Sequence, residues 1–140
     1  INVVDLYRLT PDFQHPHGLS DADFDALFTT ESPILFNFHG YPYLIHRLAY
    51  RRNGHKHMHV RGYIEKGNIN TPLELAINNR IDRFSLVLDV LQYVPSLANA
   101  DEVKSDVRNK QQAALDHAYQ YGIDVPELED WSWSYSKTAE

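Results

Sequence analysis

Strand-like and helix-like patterns alternate along this chain, which predicts an α/β layered domain with a mainly parallel sheet. Three observations carry the prediction. Residues 1–7 and 34–38 are short apolar runs, the first rich in β-branched residues, and both read as buried strands. Residues 57–64 alternate in polarity like a third strand. Between and after these runs, apolar residues recur at the three- and four-residue steps of helices. With 140 residues the chain is one ordinary domain, long enough to bury a core.

Each element has a local justification. The opening Ile1-Asn2-Val3-Val4-Asp5-Leu6 already reads as strand, and the sole methionine is Met58, so the chain is expected to be a piece of something longer. Pro11, Pro16 and Gly18 mark a loop that contains His15 and His17. Ser20 with Asp23 three residues later resembles a capping box, opening a short helix with Phe24, Leu27 and Phe28 on one side. After the second strand, Gly40 and Pro42 turn the chain into a helix whose apolar side is Leu44, Ile45 and Leu48, with Pro42 suited to its first position. Asn53-Gly54 is a turn before the third strand.

Thr71-Pro72-Leu73-Glu74 then combines an N-cap, a proline at the first helical position and a capping glutamate. Behind it Leu73, Ile77, Ile81, Phe84, Leu88 and Leu91 predict one long core helix closed by Pro95. Leu86, Val87 and Val90 widen its apolar face, so both sides are expected to be covered. Arg80, Asp82 and Arg83 fall within one turn of it, as a structural ion pair would. A last helix over 101–121 carries Val103, Val107, Ala114, Ala118 and Tyr121, and Gly122 is a natural cap. Trp131, Trp133 and Tyr135 are expected to anchor the tail onto a surface.

Composition excludes several functions. Cysteine is absent, which removes disulfides, thiol nucleophiles and Cys-based zinc sites, and fits a reducing compartment. No apolar run approaches the length that spans a bilayer, and no charged-then-apolar leader is present, so no membrane partner is expected. A sequence pI near 5.7 without RRM, KH or helix-turn-helix patterning argues against nucleic acid.

One stretch breaks the acidic character. The formal net charge is -6, yet no acidic residue lies between Glu31 and Glu65. That gap holds His39, His46, His55, His57 and His59 with Arg47, Arg51, Arg52, Lys56 and Arg61, threaded with aromatics such as Tyr41 and Tyr43. Such a segment marks a surface for something anionic or for another protein surface. Its candidate members are His39, Tyr41, His46, Arg47, Arg51, Arg52 and Arg61. Arg47 and Arg51 stand one helical turn apart, placed to clamp a phosphate or to pair with carboxylates of a neighbouring domain.

Other constellations are weaker. His57 and His59 would share a strand face about 7 Å apart, but His55 lies about 13 Å from His59 and no carboxylate is near, so no metal is expected. Gly40-Tyr41-Pro42 sits at a strand-to-helix turn, where α/β sheets place ligands and helix N-termini attract anions. Neither a G-x-G-x-x-G nor a Walker pattern occurs, and no G-x-S-x-G elbow is present.

The run Phe38-His39-Gly40-Tyr41-Pro42, followed by Ile45-His46-Arg47-Leu48, Tyr50-Arg51-Arg52, His59-Val60-Arg61-Gly62-Tyr63 and Thr71-Pro72, resembles the C-terminal domain of phosphoketolases. The likeness continues through Asp82-Arg83-Phe84, Leu86-Val87 and Asp89-Val90 to Tyr121-Gly122-Ile123-Asp124, Trp131 and Trp133, and includes Val3-Val4-Asp5-Leu6 at the start. It implies a three-layer α/β domain over residues 1–140 with a mixed, mostly parallel sheet, like the C-terminal domain of the transketolase superfamily. It also implies a cytoplasmic parent enzyme, a carbon–carbon lyase (aldehyde-lyase) that uses thiamine diphosphate and magnesium. Such an enzyme cleaves xylulose 5-phosphate, often fructose 6-phosphate too, with inorganic phosphate, giving acetyl phosphate, water and an aldose phosphate. Its active sites lie between subunits of a dimer, so the implied partners are the other domains of the parent and a second subunit, in a homodimer or larger homo-oligomer.

The thiamine diphosphate site of such enzymes normally needs a G-D-G run followed by an asparagine, and this chain has no Gly-Asp pair at all. No catalytic, cofactor-binding or metal residue is therefore expected here. The domain is expected to serve structure and assembly, its basic segment docked on the catalytic domains or the partner subunit. The alternative is a regulatory module whose basic patch holds a phosphate or nucleotide effector at the Gly40–Arg52 strand-to-helix turn.

Overall fold

The computed structural model describes residues 1–64, 66–97 and 100–129. Two of the three expected strands form among them. β1 (Ile34–Phe38) and β2 (Met58–Gly62) pair in parallel, with Ile34 opposite Met58 and Phe38 opposite Gly62. The connection between them is α2 (Pro42–Ala49), and α1 (Asp21–Phe28) precedes β1. Ser20 caps α1 as expected, its Oγ accepting from the amide of Asp23. Pro42 occupies the first turn of α2.

Partners in a parallel ladder point to the same side, so this register sorts the two faces of the sheet. Ile34, Phe36 and Phe38 share one face with Met58 and Val60. They pack with Phe24 and Phe28 of α1, Ile45 and Ala49 of α2, and Leu9. Leu35 and Asn37 share the other face with His59 and Arg61, where α4 (Arg83–Tyr93) lies. α5 (Asp101–Tyr121) stacks behind α4 and α3 (Pro72–Asn78), and a short α6 (Pro126–Glu129) follows. The result is an α/β arrangement with helices on both sides of a small parallel sheet.

Residues 1–7 depart from expectation. They form no strand: Asp5 accepts from the amide of Tyr7, and the chain turns into a 3-10 helix at Leu6–Leu9. Val4 is 88% exposed, although Val3 packs against the core. The third strand begins later than its alternation suggests, because His55–His57 is a 3-10 turn.

The long helix is two helices. α3 ends in a Schellman closure, with the Arg80 amide donating to Ile77 and that of Ile81 to Ala76. Arg80 takes the left-handed conformation, φ 58°, that this closure requires. Asp82 then restarts the chain as N-cap of α4, its Oδ1 accepting from the amides of Phe84 and Ser85. The apolar period runs through the break because Ile77, Phe84 and Leu91 are all still buried. The sheet covers one side of α4 and α5 another, while Val87 and Val90 between them are exposed. α5 and its left-handed Gly122 cap match the sequence reading, but Val103 and Tyr121 point largely to solvent. Trp131, Trp133 and Tyr135 lie outside the described residues.

Candidate functional site

α2 is positioned from both ends by close packing. A Cβ on Gly62 would stand 2.4 Å from the carbonyl oxygen of Gly40 and 2.6 Å from the Pro42 ring, so only glycine lets β2 end against this turn. The Tyr63 amide donates to the same Gly40 carbonyl at 2.9 Å. Ile45 and Ala49, four residues apart, are fully buried and fix which side of α2 faces inward.

The opposite side is aromatic and basic. Tyr43 is 70% exposed and Tyr50 46%, and His46, Arg47 and Arg51 are exposed beside them. Tyr41 and Tyr43 stack with centroids 5.7 Å apart. Arg51 Nε donates to Tyr50 Oη at 2.7 Å, and its guanidinium lies 5.2 Å from the same ring. That donor holds the Tyr50 hydroxyl below the usual phenol range, with the charges of Arg51 and Arg47 adding to it. The pair is therefore a ready hydrogen-bonding and cation–π surface for an acceptor-rich partner.

Of the seven expected patch residues, Tyr41, His46, Arg47 and Arg51 come together here. His39 is exposed at the end of β1, 5.1 Å from the Tyr63 ring. Arg52 and Arg61 are turned away, each toward an acid from outside the acid-free segment. Arg52 is 2% exposed and ties the early chain together. It donates to the carbonyls of Leu9, Thr10 and Leu19, approaches that of Arg8, and pairs with Asp21 at 2.7 Å. Its guanidinium also covers the Phe24 ring at 4.3 Å.

Arg61 grips Asp89 through two bonds, at 2.6 and 2.9 Å, on the far face of the sheet. Arg80 reaches the same carboxylate at 2.7 Å, so a fully buried acid is held by two guanidinium groups. The Asp89 bond raises the pKa of Arg61 further. His59 stacks on Tyr93 with centroids 3.6 Å apart, and burial beside Arg61 pushes its imidazole below the usual range. His55 and His57 sit in the turn before β2 and do not continue that face. No group of three or more His, Asp or Glu among the described residues could hold a metal ion.

Sequence reasoning missed the Arg61–Asp89–Arg80 cluster. Arg80 joins this cluster instead of pairing with Asp82, whose Oδ1 caps α4. An isolated aspartate inside the apolar stretch 84–91 was the available signal, since a buried carboxylate requires a partner.

The family model described as the XFP C-terminal domain matches residues 1–133. The chain belongs to this family. The XFP C-terminal domain relatives include a probable phosphoketolase of Thermosynechococcus vestitus, 62% identical over 136 residues, which cover 96% of this chain and 17% of the relative. A probable phosphoketolase of Methylococcus capsulatus is 61% identical over 134 residues, 95% of this chain and 16% of that protein. One from Streptomyces coelicolor is 49% identical over 134 residues, 95% of this chain and 17% of that protein. The chain thus spans about a sixth of the length of the curated relatives it matches. In this XFP C-terminal domain, the α2 face is the one place where expected patch residues converge at the surface.

Proposed function

We propose that this chain is the C-terminal assembly domain of a phosphoketolase, and that the α2 face docks on the catalytic domains or on the partner subunit. The parent enzyme splits xylulose 5-phosphate or fructose 6-phosphate with inorganic phosphate to acetyl phosphate and an aldose phosphate, in the cytoplasm, as a homodimer or larger homo-oligomer. Thiamine diphosphate and magnesium bind in the parent's other domains. The names of the relatives and the family match support the parent activity. The lack of any Gly-Asp pair in the sequence supports placing the cofactor elsewhere.

The observation that carries the docking role is the composition of the outward side of α2. Tyr and Arg are enriched at interface cores, and here Tyr43, Arg47, Tyr50 and Arg51 form one exposed row on a helix anchored from behind by Ile45 and Ala49. A helix side presents a convex surface, which suits a protein partner better than a small anion in a pre-formed pocket.

Charge reversal separates docking from effector binding. Arg47→Glu with Arg51→Glu in the full-length enzyme should weaken dimerisation or domain docking and lower acetyl phosphate production, while the isolated domain keeps its far-UV circular dichroism. A reversed enzyme with unchanged oligomeric state and activity, but without its response to a phosphorylated effector, would instead establish the regulatory role. Titration calorimetry of the isolated chain with thiamine diphosphate and magnesium should show no binding. Micromolar affinity there would overturn the assignment of the cofactor to other domains.

A further inference from the structure

We infer that the α2 face of one copy of this chain docks into the cavity between α3 and the end of α5 of a second copy. This rests on the reading of the α2 face as a docking surface, and names its partner.

The first observation is the cavity. It holds about 580 Å³ between the start of α3 and the last turn of α5, with Asn70, Glu74 and Asp124 on its walls. No Lys, Arg or His is among the described residues that line it. Its acceptors are under-used. Asn70 Oδ1 is buried with no hydrogen-bond partner. Asp124 is only 8% exposed, and among the described residues only its Oδ2 accepts, from the Leu73 amide at 2.9 Å. Glu74 likewise uses Oε2 alone, toward the Thr71 amide at 3.3 Å. Unpaired acceptors in a partly buried wall favour whatever brings N–H donors to them.

The second observation is the rim. Ile69 is wholly exposed, Tyr119 is 91% exposed, and Ile123 stands out beside them, all three at the same cavity. Large apolar side chains gathered in the open around one cavity mark an interaction site.

The third observation is that α2 carries what the cavity lacks. Arg47 and Arg51 bring N–H donors and no acceptors, and neither makes an ion pair among the described residues. Tyr43 and Tyr50 flank them with exposed rings suited to the apolar rim. A convex basic helix and a concave cavity with two carboxylates are complementary in both shape and charge, and such complementarity steers the encounter of two surfaces. Both are present on this one chain, so a second copy is a partner that already fits.

Their placement decides the kind of contact. α2 packs on the sheet face of Phe36 and Val60, whereas α3 and α5 belong to the layer beyond the opposite face. Two copies therefore cannot satisfy both surfaces by facing each other. The contact is heterologous and passes from copy to copy, as a ring or a chain.

Sedimentation velocity on the full-length enzyme tests this with substitutions at exposed positions. Arg47→Glu with Arg51→Glu reverses α2, and Ile69→Lys with Tyr119→Lys makes the cavity rim positive. Each pair should weaken self-association about tenfold or more, and the four changes together should restore most of it, because opposite charges again meet. Circular dichroism checks the fold of each variant, and the single variants Arg47→Glu and Tyr119→Lys carry the same test if a double variant unfolds. Unchanged association after the rim substitutions, or no recovery when both surfaces are reversed, would overturn the inference. If Arg47→Glu with Arg51→Glu still weakens docking in that case, α2 meets another domain of the parent and the docking reading stands. If neither pair alters association or acetyl phosphate formation, the docking reading falls as well. A wild-type enzyme that sediments as nothing larger than a dimer at every concentration would also overturn the inference.

Discussion

Arg52 and Arg80 show how much a single side chain can decide in a domain of this size. Arg52 donates to the carbonyls of residues 9, 10 and 19, the last of which also accepts from the Asp12 amide, and its guanidinium lies over Phe24. Arg52→Ala should therefore destabilise the domain by on the order of 3–5 kcal/mol, read from urea unfolding, because buried acceptors are left unpaired. Arg52→Lys should recover only part of the loss, since one ammonium cannot span that fork of acceptors. Arg80 presents the opposite balance. Its left-handed backbone disfavours any residue with a Cβ by about 1–2 kcal/mol, while its guanidinium supports Asp89 from a half-exposed position. Arg80→Gly should then be close to neutral, within about 1 kcal/mol, whereas Arg80→Ala should cost more because it keeps the strain and loses the bond. Equal stabilities of the two variants would mean that the backbone conformation carries no penalty here. His59 gives a pH signature. Its folded pKa lies below the usual value of 6.5, so the unfolded chain takes up the proton first as pH falls. Stability should be lost below about pH 6.5, and His59→Phe, which keeps a ring on Tyr93, should flatten that loss in thermal melts at pH 5 to 8.

Among the elements, the ones legible from sequence are those whose signals are local. Ser20, Pro42 and Gly122 mark helix ends by chemistry within one turn, and each marks the end that is observed. β1 and β2 follow from short apolar or alternating runs. The break between α3 and α4 was not legible from periodicity, because the apolar period tolerates a Schellman turn without losing phase. It was written in Asp82, whose cap competes with helix continuation. Asp82→Ala should thus cost about 1–2 kcal/mol, and the deficit should appear in α4 rather than α3. Phe84→Ala, one residue into that helix, should cost about 3–5 kcal/mol as a cavity in the packing of α4. A loss below about 1 kcal/mol would show that the site collapses freely. The candidate patch was half legible for a similar reason. Counting charges along the chain finds a segment without acids, but Arg52 and Arg61 meet Asp21 and Asp89 in space. What remains at the surface is the part carried by one helix, where sequence spacing and spatial adjacency coincide.

At the scale of the molecule, the domain is two differently built halves. The main apolar cluster draws only on residues 3–60, that is on α1, α2 and one face of the sheet. Ile77, Phe84, Leu91, Val107, Ala114 and Ala118 are buried within the helical layer of α3, α4 and α5 instead. Polar and aromatic contacts join the halves: Asn37 to the Ile81 carbonyl, Ile64 to Asn79, Arg61 to Asp89, and His59 on Tyr93. A seam of this kind has a directional character that grease lacks. Greasy layers slide at small cost, whereas a forked guanidinium on a buried carboxylate holds one alignment and releases abruptly when that alignment is lost. The Arg61–Asp89 junction should accordingly behave as a latch. Under gentle denaturation the helical layer should come away as a unit while α1, α2 and the strands stay together, and Asp89→Asn should bring that release forward far more than it lowers the midpoint of global unfolding.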